Sequence, residues 1–425
     1  MIALLFTVLL LALIMLRVPV SFAVLSTGIL GLLYLGTATQ TIGVLETAPP
    51  SAVMSYTLSA APLFIFMAQL ILLSGLVDSL FDAARALMGR VRCGTAVASV
   101  AAGTAFAAVS GSSTASAATL ASTSTAQLID DGYEPRTAGG LIAVVGTLAA
   151  MIPPSVILVF YAITAEVSVG DTIVAAVFPG LLVALVLVGT LYLVVGLRPH
   201  AAPRGAAASW QDKGLAVVAA LPILVLFAAV VGSIYTGLAT ATEAAGIGCV
   251  AAFLLALARG RVTWMGVKVA VVETVKTSAM IFAIIIGAEV FGHFLTETRV
   301  TEGLVEWIGR MSLPAFVIML FIGAIYVVLG FFMDQIAIIA LTVPITLPMV
   351  TELGYDPIWF GIFIVLLAEV GMVTPPMGLN VFVVARVTRR PAGEIFRGAL
   401  PFAVAIVALG VVLLAFPDLV LWSLG

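Results

Sequence analysis

Apolar residues run through this chain in long blocks, separated by short polar or Gly/Pro-containing turns. A bilayer core of about 30 Å takes roughly 20 apolar residues per helix, and runs of that kind fill the chain almost without pause. They predict about ten spans, near residues 2–16, 18–36, 58–80, 138–165, 172–197, 214–233, 238–257, 268–292, 358–385 and 398–416. Two further stretches, 94–130 and 312–352, are too long for one span and break in the middle, so each is expected to form a re-entrant hairpin. The opening MIALLFTVLLLALIMLRVPV has no basic start and no A-x-A-like cleavage site, and is expected to be a retained span.

Composition fixes the solvent. Of 425 residues, 63% are hydrophobic and 9% charged, whereas a soluble domain is about half apolar and a quarter charged. No globular core can bury that excess, so the surroundings are lipid. A net charge of −3 leaves no nucleic-acid footprint. Cys93 and Cys249 lie beside or inside apolar runs without a short spacing, which suits packing rather than a zinc site or a disulfide. Two histidines, His200 and His293, leave little room for imidazole chemistry.

The longest polar interruption, LRPHAAPRGAAASWQDKG, divides the chain into a first half (1–197), a linker (198–213) and a second half (214–425). Basic residues mark the cytoplasmic side. With Arg17 and the linker inside, walking the spans also places Arg85, Arg90, Arg92, Arg136, Arg259, Arg261, Lys268, Arg386, Arg389, Arg390 and Arg397 inside. Lys276 can snorkel the same way. Arg299 and Arg310 fall outside, interleaved with Glu297, Glu302 and Glu306.

The halves repeat. GYEP at 132–135 recurs as GYDP at 354–357, and the same offset relates Gly139 to Gly361, Pro153-Pro154 to Pro375-Pro376, Phe160 to Phe382 and Pro179 to Pro401. Further upstream LMGR at 87–90 resembles WIGR at 307–310. Residues 162–180 contain Glu166 and Asp171 and no basic residue, while 384–402 contain four arginines and one glutamate. One loop is therefore expected outside and its twin inside. The expected fold is an all-α integral membrane protein of about ten transmembrane helices plus two re-entrant hairpins, in two inverted-topology repeats with broken helices. In that architecture the site lies at the repeat interface near the midplane.

Candidate chemistry gathers at the breaks. The first hairpin (94–130) is interrupted by Ser110, Gly111, Ser112, Ser113 and Thr114. Irregular backbone at membrane depth is tolerated only against protein or a wet cavity. Such a tip offers oxygens to a cation, while the amide end of the returning helix favours an anion. The second hairpin (312–352) breaks at GFFMDQIAI, placing Asp334 after Met333 inside an apolar stretch. An ionisable residue there is a functional candidate by default. The broken spans carry MIPPS at 151–155 and VTPPMGLN at 373–380. Proline frees carbonyls, and these join Thr374 and Asn380 as hard oxygen ligands. Glu243, Glu289 and Glu369 are further membrane acids without an assigned role.

SGSSTASAATL, GYEPRTAGGLIAVVGTLAAMIPPS, TATEAAG, MDQIAIIALTVPITLPM and GYDPIWFG…TPPMGLNVFV together resemble the large membrane subunit of the tripartite ATP-independent periplasmic (TRAP) transporters, over both halves of the chain. That family often has a proline before the Thr-Glu of the third motif, where Ala241 stands here. The resemblance implies an elevator-type, sodium-driven importer of organic acids in the bacterial inner membrane. It would work with a small four-helix membrane subunit and a periplasmic binding protein. Sodium is then expected at Ser110, Gly111, Ser112 and Ser113 with carbonyls near Pro153, and at Met333 and Asp334 with Thr374 and Pro375. The organic acid is expected against Ser112, Ser113, Thr114, Thr374 and Asn380. A standalone sodium- or proton-coupled carboxylate carrier is the competing assignment. An intramembrane serine protease would need a base beside Ser112, and neither histidine is placed to serve. A broken-helix inverted repeat also suits alternating access better than an open channel.

Overall fold

The structure, a computed structural model, describes residues 2–16, 18–88, 93–197, 210–300, 302–303, 306 and 313–424. Arg17, Arg90, Arg92, His200, Arg310, the WIGR segment and linker residues 198–209 lie outside the described residues. Every regular element among the described residues is helical. Eight of these helices are long and apolar enough to cross a membrane by length and composition, or nine if the bent pair Pro135–Met151 and Val156–Thr164 is one span. Two of the eight, Ala315–Phe332 and Gln335–Glu352, are the arms of the second hairpin.

The departures from the expected spans have local causes. The run 58–80 does not continue as one helix: Ala60–Ser74 stops at Gly75, whose φ of 66° caps it in the left-handed region, and Leu76–Met88 starts afresh. Residues 36–57, which carry no predicted span, contain the helix Ala38–Val53, opened by a reciprocal Thr37–Gln40 capping box. Helix Trp210–Tyr235 begins inside the expected linker. Trp264–Thr298 overruns its predicted end at 292 and has 35 residues. At 1.5 Å per residue it is about 52 Å long, more than the apolar core needs.

That long helix packs against Val20–Leu35, Ala38–Val53 and Ala60–Ser74, and Ala60–Ser74 in turn against Ala241–Ala258. The hairpins, the broken spans and the helices Val169–Leu197 and Ala392–Ala415 pack on one another as a second group. Within that group the two sequence halves interleave. Pro135–Val145 lies against Ala392–Ala415, Ser113–Leu120 against Leu379–Thr388, and Val156–Thr164 against Gln335–Glu352. Backbones approach closely where the second hairpin crosses the second broken span. A Cβ on Gly330 would fall 2.9 Å from Gly371 Cα, so small residues set the crossing.

Local structure recurs at the offset seen in the sequence, 334 − 112 = 222. Ser112 and Asp334 are both N-caps, Gly132 and Gly354 both have positive φ, and Pro135 and Pro357 both open a helix. The Pro153–Pro154 and Pro375–Pro376 peptide bonds are both cis, and Pro179 and Pro401 both lie inside long helices.

Candidate functional site

The first hairpin turns at Gly111, which has φ +58° and donates its amide to Ala107 O at 3.3 Å. An L side chain is strained there. It would also crowd the neighbouring span, since a Cβ would sit 3.0 Å from Val156 Cγ2. Ser112 is extended, and its Oγ accepts from Ala115 N at 3.4 Å, capping the returning helix Ser113–Leu120. Ser110 Oγ donates to Ser112 O at 3.3 Å, and Ser112 Oγ lies 3.5 Å from Thr114 Oγ1.

The second hairpin turns without a left-handed residue. Met333 is buried and extended, with φ −130° and ψ 153°. Asp334 then caps Gln335–Glu352, its Oδ1 accepting from Ile336 N at 2.9 Å and Ala337 N at 3.2 Å. Two amides and the positive end of a helix offset its charge. The residue is exposed, and what it is exposed to is a cavity. The carboxylate therefore opens onto that cavity.

That cavity, of about 460 Å³, is where the tips meet. Ser110 to Ala115 of the first tip and Asp334 to Ile336 of the second line it, with Val156 and Ile157 of the first broken span. Gln69 of Ala60–Ser74 and Glu273, Thr277 and Met280 of the long helix close the far wall. Glu273 is paired with Lys276 at 2.8 Å, a surface ion pair of small energetic weight. Ser112, Ser113, Thr114 and Asp334 thus share one cavity, where the sequence divides them between two cation sites, the first tip with Pro153 and Asp334 with Thr374 and Pro375.

Other expected ligands are placed differently. Asn380 is fully buried and lies behind the cavity wall, where its Nδ2 donates to Ser113 Oγ at 2.9 Å. Ser113 in turn donates to Glu369 Oε2 at 2.8 Å. Asn380 therefore fixes a tip residue instead of facing a solute. Thr374 does not line the cavity, and its hydroxyl donates back to Val370 O at 2.9 Å and Gly371 O at 3.2 Å. Pro375 is exposed at the break. Pro153 lines a separate, largely apolar cavity with Ile152 and Phe227. Beside the first tip it is Pro154 O that comes close, 3.5 Å from a Cβ on Gly111.

Several residues acquire roles that sequence reasoning left open or missed. Glu243 forms a capping box. Its carboxylate accepts from Thr240 N at 2.8 Å and Thr240 Oγ1 at 2.9 Å, while its own amide donates to Thr240 Oγ1. It opens a helix at the span end. Glu289 lines a second and larger cavity of about 690 Å³ with Glu166 and His293. Gln335 donates to Val365 O at 3.2 Å, so the second tip grips the same helix that the first tip reaches through Glu369. Gln69, a lone polar residue in an apolar run, and the Glu273/Thr277 pair one turn apart were the available signals for the far wall.

The family model described as "Tripartite ATP-independent periplasmic transporter, DctM component" matches residues 7–419. A C4-dicarboxylate TRAP transporter large permease protein of Pseudomonas aeruginosa is 33% identical over 85% of this chain and 84% of its own. The sialic acid TRAP transporter large permease protein of Vibrio cholerae is 28% identical over 86% of both. The solved YdaH transporter of Alcanivorax borkumensis shares the fold, with a TM-score of 0.64 over 89% of both chains at 15% identity. A helical membrane protein with paired hairpin tips around one cavity, matched by that family model along nearly its whole length, belongs to the DctM component family: it is a TRAP transporter large permease subunit and not an enzyme.

Proposed function

We propose that this subunit is a sodium-coupled importer of a small organic acid in the bacterial inner membrane, with its transport site in the cavity between the two hairpin tips. One observation carries the reading: two tips far apart in sequence, one bearing hydroxyls and the other a carboxylate, line the same cavity. The Asp334 carboxylate supplies the charge that a bound cation needs, and hydroxyls with the amide end of Ser113–Leu120 suit a carboxylate. Sodium beside the site would also neutralise the incoming anion. Relatives named for C4-dicarboxylates and for sialic acid carry substrates with carboxylates, which supports that class.

The long helix Trp264–Thr298 supports a moving-unit mechanism. It presents Glu273, Thr277 and Met280 to the tip cavity and, further along and about a quarter turn around its axis, Ala288, Gly292 and Thr296 to the larger cavity. With the basic start of this helix inside, the tip cavity lies at its cytoplasmic part and the larger one towards the outside. Moving the hairpin unit along this helix, with a rotation about it, would exchange the access of the site. The repeats are read as inverted, with 131–137 and 386–397 cytoplasmic and 166–171 and 352–357 outside. Single cysteines in these loops, in a background lacking the buried Cys93 and Cys249, test that topology. Labelling of 131–137 and 352–357 from the same face would defeat it.

A small four-helix membrane subunit and a periplasmic binding protein complete the proposed assembly. Among the described residues there is no hydrophilic domain to select a scarce solute. The deciding experiment is uptake of a panel of organic acids into proteoliposomes, with and without a sodium gradient and the binding protein. Uptake that needs both supports the reading. Micromolar-affinity uptake by this polypeptide alone replaces it with the standalone carrier.

A further inference from the structure

Behind the first tip, three fully buried side chains each have one atom without a partner: Glu369 Oε1, Asn380 Oδ1 and Ser116 Oγ. Glu369 is 1% exposed, and Asn380 and Ser116 are 0% exposed. Glu369 and Asn380 are held to one hydroxyl, Ser113 Oγ, at 2.8 and 2.9 Å. Ser116 stands one turn further along the helix that begins at Ser113, on the same face. A buried polar atom left unpaired costs about 1–3 kcal/mol, and more when it is charged. Two of the three orphans, a carboxylate oxygen and an amide carbonyl, are acceptors and cannot satisfy one another, and a cation between them would satisfy both. Among the described residues no basic side chain forms an ion pair with Glu369.

The donor set is a carboxylate, an amide carbonyl and two hydroxyls. Oxygen-only ligands select hard cations, and one carboxylate balances one monovalent charge. We propose that Glu369, Asn380, Ser113 and Ser116 form a further sodium site, lying behind the cavity wall. Glu369 precedes the break of the second broken span and Asn380 follows it. An ion held by both fastens the two pieces of that span to the tip of the first hairpin. The inference deepens the sodium-coupled reading and rests on it. It differs from a site at the second tip in the residue that carries the charge, Glu369 instead of Asp334.

The test needs no transport. A ligand that binds only the folded state raises its thermal stability as its concentration passes its dissociation constant. Purified protein is heated in sodium chloride or choline chloride at constant ionic strength, and the melting midpoint is followed against sodium. Sodium is expected to raise the midpoint of Asp334→Asn, and adding Glu369→Gln is expected to move that titration at least about tenfold to higher sodium. Superimposed titrations of the single and double variants, both folded, overturn the proposal. If Glu369→Gln does not fold, Ser116→Ala decides in its place: a shift of a few-fold supports the site, and an unchanged curve overturns it. A Glu369-dependent stabilisation that appears in choline on acidification, with sodium without effect, also overturns it, because the ligand is then a proton. Failure of the transport reading looks different: Glu369-dependent sodium stabilisation persists while sodium-gradient uptake is absent.

Discussion

The two hairpin tips occupy the same register and use the same device, a side-chain cap on the returning helix, yet they differ in chemistry. The first is neutral, turns on a left-handed glycine, and sends Ser113 inward to Glu369 and Asn380. The second is charged, turns on extended backbone, and keeps Asp334 open to the cavity with one carboxylate oxygen held by two amides. One tip is therefore fastened to the opposite half through its side chains. The other has a carboxylate available to a ligand. A repeat of backbone does not impose a repeat of charge, and in this molecule one tip carries a carboxylate and the other does not.

The largest expected effect comes from removing that inequality at its source. Asp334→Asn keeps shape and part of the hydrogen bonding but deletes the charge. Attraction between a carboxylate and a cation at about 4 Å, at an effective dielectric near 20, is of order 4 kcal/mol, partly cancelled by desolvation. A net loss of about 1.4–3 kcal/mol raises the apparent sodium constant roughly ten- to a hundred-fold. Sodium activation of uptake, measured at matched expression, checks this. An unchanged constant would leave Asp334 as a helix cap only.

Ser113→Ala attacks the other side of the comparison. It strips Asn380 Nδ2 of its acceptor and Glu369 Oε2 of its donor, both deeply buried. The expected cost is about 1–3 kcal/mol of stability, read as a lower melting midpoint in sodium-free buffer. Gln335→Ala removes the corresponding bond from the second tip to Val365 O. It should cost less, about 1 kcal/mol, because Val365 O lies inside the helix Pro357–Met372 and keeps its backbone donor. If Gln335→Ala proves the more damaging, the first tip is not the anchored one.

How far the sequence reaches can be judged at these same residues. Both breaks and both proline pairs were legible, because turn chemistry and apolar runs are local and the repeat states them twice. The meeting of the tips followed from the architecture the repeat implied. The bond between Ser113 and Glu369 was not legible, since it joins residues 256 apart across the two halves and no periodicity encodes it. Asn380 read as a ligand because an amide beside a broken helix is chemically suited to one; only packing shows that it faces Ser113. Ala38–Val53 escaped notice because Glu46, Pro49 and Pro50 interrupt its apolar pattern, although its capping box lay in plain sequence.

The glycine offers a smaller, purely conformational contrast. Gly111→Ala places a side chain at φ +58° and 3.0 Å from Val156 Cγ2. The expected cost is about 1–2 kcal/mol. Met333→Ala at the equivalent position meets no such backbone penalty, because φ there is −130°. Its cost should be confined to lost packing of a buried side chain. The pair is compared by melting midpoint, and by sodium constant to separate loss of fold from loss of site. A greater loss of sodium affinity in Met333→Ala than in Gly111→Ala would show that the second tip depends on its packing as well as its charge.

Ser112→Asp transplants the second tip's cap onto the first and carries the smallest expected effect on stability. Asp and Ser are nearly equal as N-caps, and a carboxylate at a helix N-terminus gains about 0.3–1 kcal/mol from the dipole. Half-exposed Ser112 already lines the cavity, so the new charge faces that space. The melting midpoint in choline should therefore move little. The sodium constant should fall a few-fold if a charged tip is what makes a cation site, because a second carboxylate would face the same cavity as Asp334. Two carboxylates also repel one another and the anionic substrate, so the apparent substrate constant should rise while sodium affinity improves. Sodium titrations of uptake at several substrate concentrations separate the two effects. If sodium affinity is unchanged and only the substrate constant rises, a charged cap on the first tip does not by itself make a cation site, and the contrast between the tips does not rest on their cap residues.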